Sequence, residues 1–94
     1  MAENQHRLIK GYRELTQVEI DLMNQIKEKG VELAELVTAI NAHLTAQRLG
    51  AKDNTDEHLR ITAAQPERWW ALGRTKLQEG LMDLTRSVAQ PEFF

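Results

Sequence analysis

Apolar and small residues recur every three or four positions between Thr16 and Arg48, which is the spacing of one face of an α-helix. The series is Met23, Ile26, Gly30, Leu33, Val37, Ile40 and Leu44. Thr16 and Glu19 stand where the two side chains of a capping box bind the free backbone N–H groups of a first helical turn. The pattern therefore predicts a helix over residues 16–48, about 50 Å long at about 1.5 Å per residue.

A second series of the same spacing begins after Pro66 and ends at Pro91. Its members are Trp70, Gly73, Leu77, Gly80 or Leu81, Leu84 and Val88. Proline is tolerated at the first helical position and disfavours helix at the residue before it, here Gln65. We therefore predict a second long helix over residues 66–90, which packs against the first as an antiparallel hairpin.

The remaining segments are shorter. Residues 3–10 can form a short helix that Gly11 would end, which places Tyr12 in a corner before the long helix. Residues 49–65 are polar and rich in turn formers, so they are predicted to connect the two long helices, with residues 57–64 able to add helix. The chain is thus expected to form a single all-α domain over residues 1–94.

Glycines inside the two predicted long helices all lie on the apolar faces. They are Gly30, Gly73 and Gly80. Each costs roughly 1 kcal/mol relative to alanine in a helix interior, so a compensating close approach of helix backbones is the natural interpretation.

Further apolar side chains lie partly outside the two faces. They are Leu22, Leu36, Trp69, Trp70, Leu72, Phe93 and Phe94. A chain of 94 residues buries only a modest core by itself, and a tail of two phenylalanines would form an exposed apolar patch. We therefore expect the chain to assemble with copies of itself.

Composition limits the classes of partner. The net charge is -2 and the pI is about 5.9, so non-specific binding to long nucleic acid is not expected. There is no cysteine, which excludes disulfides and thiolate metal sites and fits a reducing compartment. No apolar run suits a signal peptide or a membrane span. We expect a soluble, intracellular protein without a membrane partner.

Signatures of catalysis are weak. The sequence has no Gly-rich phosphate loop, no nucleophile elbow around its one serine, Ser87, and no histidine pair at metal-binding spacing. Glu3 and His6 form a single E-x-x-H motif, whereas a carboxylate di-metal site in a helical bundle needs that motif twice and two further glutamates. The sequence favours a protein that is not an enzyme and that carries no metal or cofactor.

A basic and aromatic cluster stands out against the acidic background. Residues 6–13, HRLIKGYR, hold three Lys or Arg side chains and Tyr12 without an acid, and Lys27 and Lys29 follow on the predicted long helix. A tyrosine ring can stack on a nucleobase for roughly 1 to 3 kcal/mol, and cations bind phosphate through charge-assisted hydrogen bonds. The cluster suits a nucleotide-sized anion. A tyrosine at a helix corner is also commonly a packing wedge, and the residues alone favour that packing role.

Several short motifs, in this order, resemble one family. They are IKGYREL, the capped helix containing NQIKEKG, and RWWALGRTKLQEGLMDLTRSVAQPEFF. The chain resembles the small phage-encoded anti-CBASS sponge proteins, which bind the cyclic oligonucleotide signals of bacterial immunity. The resemblance covers about residues 5–37 and 66–94, and residues 47–64 look like a variable connection to which it does not extend. It implies a helical homohexamer that sequesters its ligand without hydrolysis, in the cytoplasm of the infected bacterium.

The resemblance also implies site residues. In the family, a tyrosine in the Gly-Tyr corner stacks on the bases of a cyclic dinucleotide and a lysine on the first long helix contacts its phosphates; here these positions are Tyr12 and Lys27. Some members hold cyclic trinucleotides at a separate site between subunits, where the arginine before the tryptophans contributes; here that is Arg68. Arg13 and Lys29 are further candidates, at positions that vary in the family.

Two other kinds of function remain open on the sequence alone. A structural helical hairpin would use its apolar faces only for assembly, and Tyr12 and Lys27 would then be replaceable. An antagonist of another protein would bind through Trp69 or the C-terminal EFF.

Symmetry supports the ligand-binding interpretation, because a cyclic dinucleotide is nearly two-fold symmetric and a two-fold interface presents Tyr12 and Lys27 twice. Two copies of each can reach an affinity that one copy cannot.

Overall fold

The computed structural model describes residues 14–92, and all its regular structure in that range is helical. Helix α1 spans Gln17–Gly50, α2 spans Thr55–Ala64 and α3 spans Pro66–Ala89. The predicted all-α class is confirmed. The short helix predicted for residues 3–10, and the residues Tyr12, Arg13, Phe93 and Phe94, lie outside the described range.

The start of α1 has the capping box that the sequence predicts. The backbone N–H of Glu19 donates to the Thr16 hydroxyl at 3.2 Å, and the Glu19 carboxylate accepts from the Thr16 backbone N–H at 2.8 Å. At the other end, the N–H of Ala51 donates to the carbonyls of Gln47 and Arg48 at 3.1 and 3.2 Å. Helix α1 is thus closed at both ends by local hydrogen bonds.

The segment predicted as a connection, 49–65, contains a helix of its own. The Asn54 side chain accepts a hydrogen bond from the Glu57 N–H at 3.1 Å and caps the start of α2. Ile61 of α2 is only 1% exposed, and with Ala51 it makes up the fully buried core of the described residues. Because burial of Ile61 removes its side chain from water, α2 folds back onto the end of the hairpin.

Gln65 separates α2 from α3. It has φ 52° and ψ 52°, in the left-handed region, while its N–H still donates to the Ile61 carbonyl at 3.1 Å. Pro66 follows at the first position of α3. The break that the sequence predicts before Pro66 is therefore present as a single left-handed residue.

We expect Gln65→Gly to raise the free energy of unfolding by about 1 kcal/mol, because a residue with a Cβ is disfavoured by roughly that amount in the left-handed region. Thermal melting at matched protein concentration measures the gain. Gln65→Ala is the control, since it keeps the Cβ and should show no gain. Equal melting temperatures for the glycine and alanine variants would contradict the strain at this position.

The hairpin is joined near its middle by one specific bond. The indole N–H of Trp70 donates to the backbone carbonyl of Val37 at 2.9 Å. The predicted face of α1 is half-buried along its length, with Ile40 as the exposed exception at 40%. This bond favours the observed register of α3 against α1.

The exposure of α3 differs from the prediction at three positions of the predicted face, Gly73, Leu77 and Leu84. Leu84 is 56% exposed, whereas Leu81, Thr85 and Val88 are half-buried. The hydroxyl of Thr85 donates to the Leu81 carbonyl of its own helix at 2.9 Å, which satisfies its polar group in the partly buried position. The assignment of Leu84 to the hairpin face is therefore wrong.

The glycines do not bring α1 and α3 into close contact. A Cβ on Gly30 would lie 3.5 Å from Leu81 Cδ1, an ordinary van der Waals distance, and a Cβ on Gly73 or Gly80 would meet no atom within 4 Å. The interpretation of close backbone approach within the hairpin is wrong for Gly73 and Gly80. Large side chains such as Trp70 and Leu81 hold the two helices apart and leave grooves between them.

The hairpin is long and exposes much apolar surface. Its extents are 62 × 25 × 18 Å and its radius of gyration is 20.1 Å, against about 12 Å for a compact domain of this length. Its accessible surface is 7689 Å², against about 5,500 Å² for a compact monomer of this mass. Among the exposed apolar residues are Leu22, Leu36 and Trp69, which the sequence places outside the hairpin face. Within residues 14–92, no helix is long and apolar enough to cross a membrane.

Candidate functional site

A groove lies between the first half of α1 and the second half of α3. We call it the proximal groove. Its volume is about 530 Å³, within the range of about 300 to 1,000 Å³ for ligand sites. Its lining residues are Leu15, Met23, Ile26, Lys27, Gly30, Leu81, Met82, Thr85, Arg86, Ala89 and Pro91. The lining is largely apolar with two cationic side chains.

Lys27 enters the proximal groove from α1. Positions three and four residues away on its helix hold Met23, Asn24, Gly30 and Val31, so no acid shares its face. Among residues 14–92, no carboxylate pairs with it. Arg86 lines the same groove from α3. An unpaired ammonium group beside apolar walls is suited to an anion that also carries an apolar surface.

Lys29 lies on a different side of the hairpin. It lines a smaller groove of about 240 Å³, together with Leu22, Leu84 and Val88. Its ammonium group pairs with Glu32 at 3.3 Å, and both side chains are exposed. The structure therefore separates the two candidate lysines, since residues two apart on a helix point in different directions.

Arg68 is at the start of α3, far from Lys27. Its guanidinium carbon lies 5.2 Å from the centre of the Trp69 ring, and Trp69 is 60% exposed. Val37, which binds Trp70, is ten residues after Lys27, or about 15 Å along α1 at about 1.5 Å per residue. A single protomer therefore does not bring Arg68 and Lys27 together.

A third groove of about 360 Å³ lies in the middle of the hairpin and contains Trp70 and Arg74. The Arg74 guanidinium is 5.9 Å from the Trp70 ring centre. Sequence reasoning did not select Arg74 or Arg86. The available signal for Arg74 was its position four residues after Trp70, on the same helix face.

The charges are sorted between the grooves and the rest of the surface. The chain has 14 Asp and Glu against 12 Lys and Arg. No carboxylate lines any of the three grooves. Each contains at least one cation: Lys27 and Arg86 line the proximal groove, Arg74 lines the middle groove, and Lys29 lines the smallest of the three. An acidic protein thus presents cationic grooves, which favours anionic ligands there.

A clamp of side chains joins the three helices where they meet. We use the name clamp for Arg48 of α1, Thr62 of α2 and Glu67 of α3. Arg48 donates to Glu67 through Nε at 2.6 Å and through a terminal nitrogen at 2.8 Å, and to the Thr62 hydroxyl at 3.2 Å. Bidentate pairing of this kind is both strong and directional. The Arg48 guanidinium, followed by Glu67's own backbone N–H, lowers the pKa of Glu67 to about 2.

We expect the clamp to make stability sensitive to acid. The folded-state pKa of Glu67 is below its ordinary value of 4.5, so its contribution is present above that pH and is lost as the pH falls towards about 2. Thermal melts across this range should show a smaller acid-induced loss for Glu67→Gln than for the wild type. Identical acid profiles would contradict a contribution from this ion pair.

Metal ligands are not clustered in the described part of the chain. Within residues 14–92, no group of three or more His, Asp or Glu side chains is placed to hold a metal ion. Lysines, arginines and apolar side chains line the grooves.

Known proteins share this hairpin. Residues 4–89 match the family model of the Acb2/Tad1 hairpin domain. That match includes residues 47–64, which carried no resemblance in the sequence motifs. Anti-CBASS protein 2 of Pseudomonas phage JBD67 is 42% identical, and the alignment covers 96% of this chain and 97% of that protein. The resemblance to the anti-CBASS sponge proteins is thereby confirmed, and the chain belongs to the Acb2/Tad1 hairpin-domain family.

Proposed function

We propose that this protein antagonises CBASS defence by binding cyclic dinucleotides and sequestering them without degradation, in the cytoplasm of the infected bacterium. The observation that carries the proposal is Lys27, which lies in an apolar groove without a carboxylate partner among the described residues. Family membership and the name of the relative from phage JBD67 support the same role.

The proximal groove fits the chemistry of a cyclic dinucleotide. Leu15, Met23 and Met82 provide apolar surface for a base, and Lys27 provides a cation for a phosphate. Tyr12 precedes Leu15 by three residues, so the chain keeps the two backbones within about 11 Å. Stacking of the Tyr12 ring on a base, with Arg13 as a neighbouring cation, would complete the site.

A second copy of the chain completes the proposed site. A two-fold interface would place a second Tyr12 and Lys27 against the other half of a nearly symmetric ligand. The extra apolar surface on the hairpin supports such assembly, and the family resemblance implies a hexamer. A hexamer assembled from two-fold dimers would contain several such interfaces, so one assembly would hold several ligands.

Arg68 supports a second ligand class, the cyclic trinucleotides. Its guanidinium stacks beside the exposed Trp69 and has no carboxylate partner among residues 14–92. A guanidinium of this kind suits a phosphate, and an exposed indole suits a base. We propose a separate site there, formed between protomers. Lys29 is a further candidate ligand-binding residue, on a different side of the hairpin from Lys27.

Calorimetry against a panel of cyclic di- and trinucleotides tests the proposal directly. Stoichiometric heat from a cyclic nucleotide, and none from its linear form, is the expected result. A structural hairpin would give no heat with any member of the panel while remaining assembled. A protein antagonist would likewise give no heat and would instead retain a host protein in a nucleotide-free pull-down, which Trp69→Ala should abolish.

We expect the ligand to be recovered chemically intact. Cleavage of a phosphodiester at a useful rate needs an activated nucleophile and stabilisation of developing charge, whereas the proximal groove offers cations that hold a phosphate. Cyclic dinucleotide incubated for hours with excess protein and Mg²⁺, then released by protease, should elute unchanged and activate its effector again. Linear products that are absent from a boiled-protein control would overturn sequestration as the mechanism.

A further inference from the structure

The clamp lies directly beside Arg68. Glu67 and Arg68 are consecutive residues in the first turn of α3. Both carboxylate oxygens of Glu67 are bound by Arg48, which reaches across from a residue 19 positions earlier in the chain. The Arg68 guanidinium, by contrast, stacks beside Trp69 at 5.2 Å. The clamp thus joins the acid of this turn to a distant arginine, and the neighbouring arginine is left facing the indole.

This pairing changes the charge that an anion meets at Arg68. An unpaired carboxylate one residue away would repel a phosphate and attract the Arg68 guanidinium, both of which oppose binding. Pairing with Arg48 compensates the charge of Glu67. Arg48 itself directs its donors at Glu67 and Thr62, so Arg68 remains the guanidinium of this region that is open to a ligand.

We infer that Arg48 is a positioning residue for the anion site at Arg68: by holding both oxygens of Glu67 it neutralises the adjacent carboxylate and keeps Arg68 available to the phosphates of a cyclic trinucleotide. This inference rests on the proposed Arg68 site. It assigns a function to residues 47–67, the part of the chain where α1, α2 and α3 meet.

Two substitutions break the same ion pair and separate this role from a purely structural one. Arg48→Met leaves Glu67 as a free carboxylate beside Arg68. Glu67→Gln also breaks the pair but leaves no carboxylate. A structural clamp predicts that both variants lose ligand affinity, whereas charge neutralisation predicts a loss only for Arg48→Met and recovery in the double variant Arg48→Met/Glu67→Gln.

The experiment is titration of cyclic triadenylate into the full chain by calorimetry. We expect Arg48→Met to weaken binding by about twofold to thirtyfold, the range that Coulomb's law gives for one charge at about 8 Å between water and a protein surface. The difference from wild type should shrink as salt rises from about 0.05 M to about 0.5 M, because exposed charges are screened. The double variant, which has neither charge of the pair, should bind about as wild type does, because the wild-type pair is also close to neutral.

Arg60→Met is the matched control. Arg60 pairs with Glu57 on α2, and both side chains are exposed. Its removal changes the net charge by the same amount as Arg48→Met but frees Glu57 instead of the residue next to Arg68. It should therefore bind the trinucleotide as wild type does. Thermal melts of every variant establish that it is folded, and Arg48→Gln replaces Arg48→Met if the latter is unfolded at the assay temperature.

The outcomes distinguish failure of the role inferred for Arg48 from failure of the ligand site proposed at Arg68. Wild-type affinity in Arg48→Met, or a double variant as weak as Arg48→Met, overturns the inference while leaving a ligand site at Arg68 in place. If the wild type binds no cyclic trinucleotide, or if Arg68→Ala binds as tightly as wild type, the Arg68 site fails and the role of Arg48 fails with it.

Discussion

Replacing Lys27 with alanine should weaken cyclic dinucleotide binding by more than tenfold, a loss above about 1.4 kcal/mol, while the hairpin stays folded. Lys27 has no carboxylate partner among the described residues and lines the proximal groove, so its removal breaks no ion pair seen there. A two-fold site would lose two phosphate contacts at once. Calorimetry gives the affinity, and circular dichroism confirms that the helices remain.

Lys76→Ala is the matched control for this experiment. It also removes one lysine from a long helix, but Lys76 lines none of the three grooves. We expect wild-type affinity from it. Lys29→Ala should lose less affinity than Lys27→Ala, because Lys29 is already paired with Glu32.

Tyr12 provides the second half of the same test. Tyr12→Ala should also lose more than tenfold, since stacking on a base contributes roughly 1 to 3 kcal/mol, whereas Tyr12→Phe keeps the ring and should retain most of the affinity. Wild-type binding in both Tyr12→Ala and Lys27→Ala would sink the assignment of the dinucleotide site.

The second large effect concerns assembly. Light scattering should give a mass that is a multiple of 10.8 kDa, with six copies expected from the family resemblance. The physical reason is the exposed apolar surface of the isolated hairpin, including Leu36 and Leu84. A well-folded monomer at micromolar concentration would rule out a ligand site built from two copies of Tyr12.

Gly80 offers a graded test of that assembly. A side chain at Gly80 meets no atom within 4 Å in the protomer, so the hairpin itself has room for Gly80→Leu. We expect Gly80→Leu to keep its helicity and to lose mass in light scattering, because a bulky side chain would hold a second copy away. Gly80→Ala adds one methyl group and should keep the assembly. An unchanged mass for Gly80→Leu would show that this glycine faces no copy of the chain.

Local features of this protein were determined by its sequence. The Thr16–Glu19 capping box, the helix break before Pro66 and the apolar period of α1 each depend on residues within a few positions of one another. Hydrogen bonding, proline geometry and helical periodicity act at that range, so each feature could be predicted without the rest of the fold. The family motifs are also short stretches of sequence, so they identify the family without knowledge of the fold.

The rotation of α3 about its own axis was decided only by tertiary structure. Periodicity restricts the buried face to one side of a helix but does not choose between neighbouring positions such as Leu84 and Thr85. Contacts between the helices make that choice, among them the bond from Trp70 to the Val37 carbonyl, which joins residues 33 positions apart. In the observed rotation Leu84 is exposed, and a Cβ on Gly80 would meet no atom of the protomer within 4 Å.

The charge distribution was also determined partly by the sequence and partly by the tertiary structure. The sequence shows an acidic chain with lysines and arginines spread along it. It selects Lys27 through the basic cluster and the family motifs, and Arg68 through the family motifs alone. The fold lines its grooves with cations and no carboxylates and joins Arg48 to Glu67. Such pairings depend on which helix faces meet, because electrostatic interactions act through space and carry no mark in the local sequence.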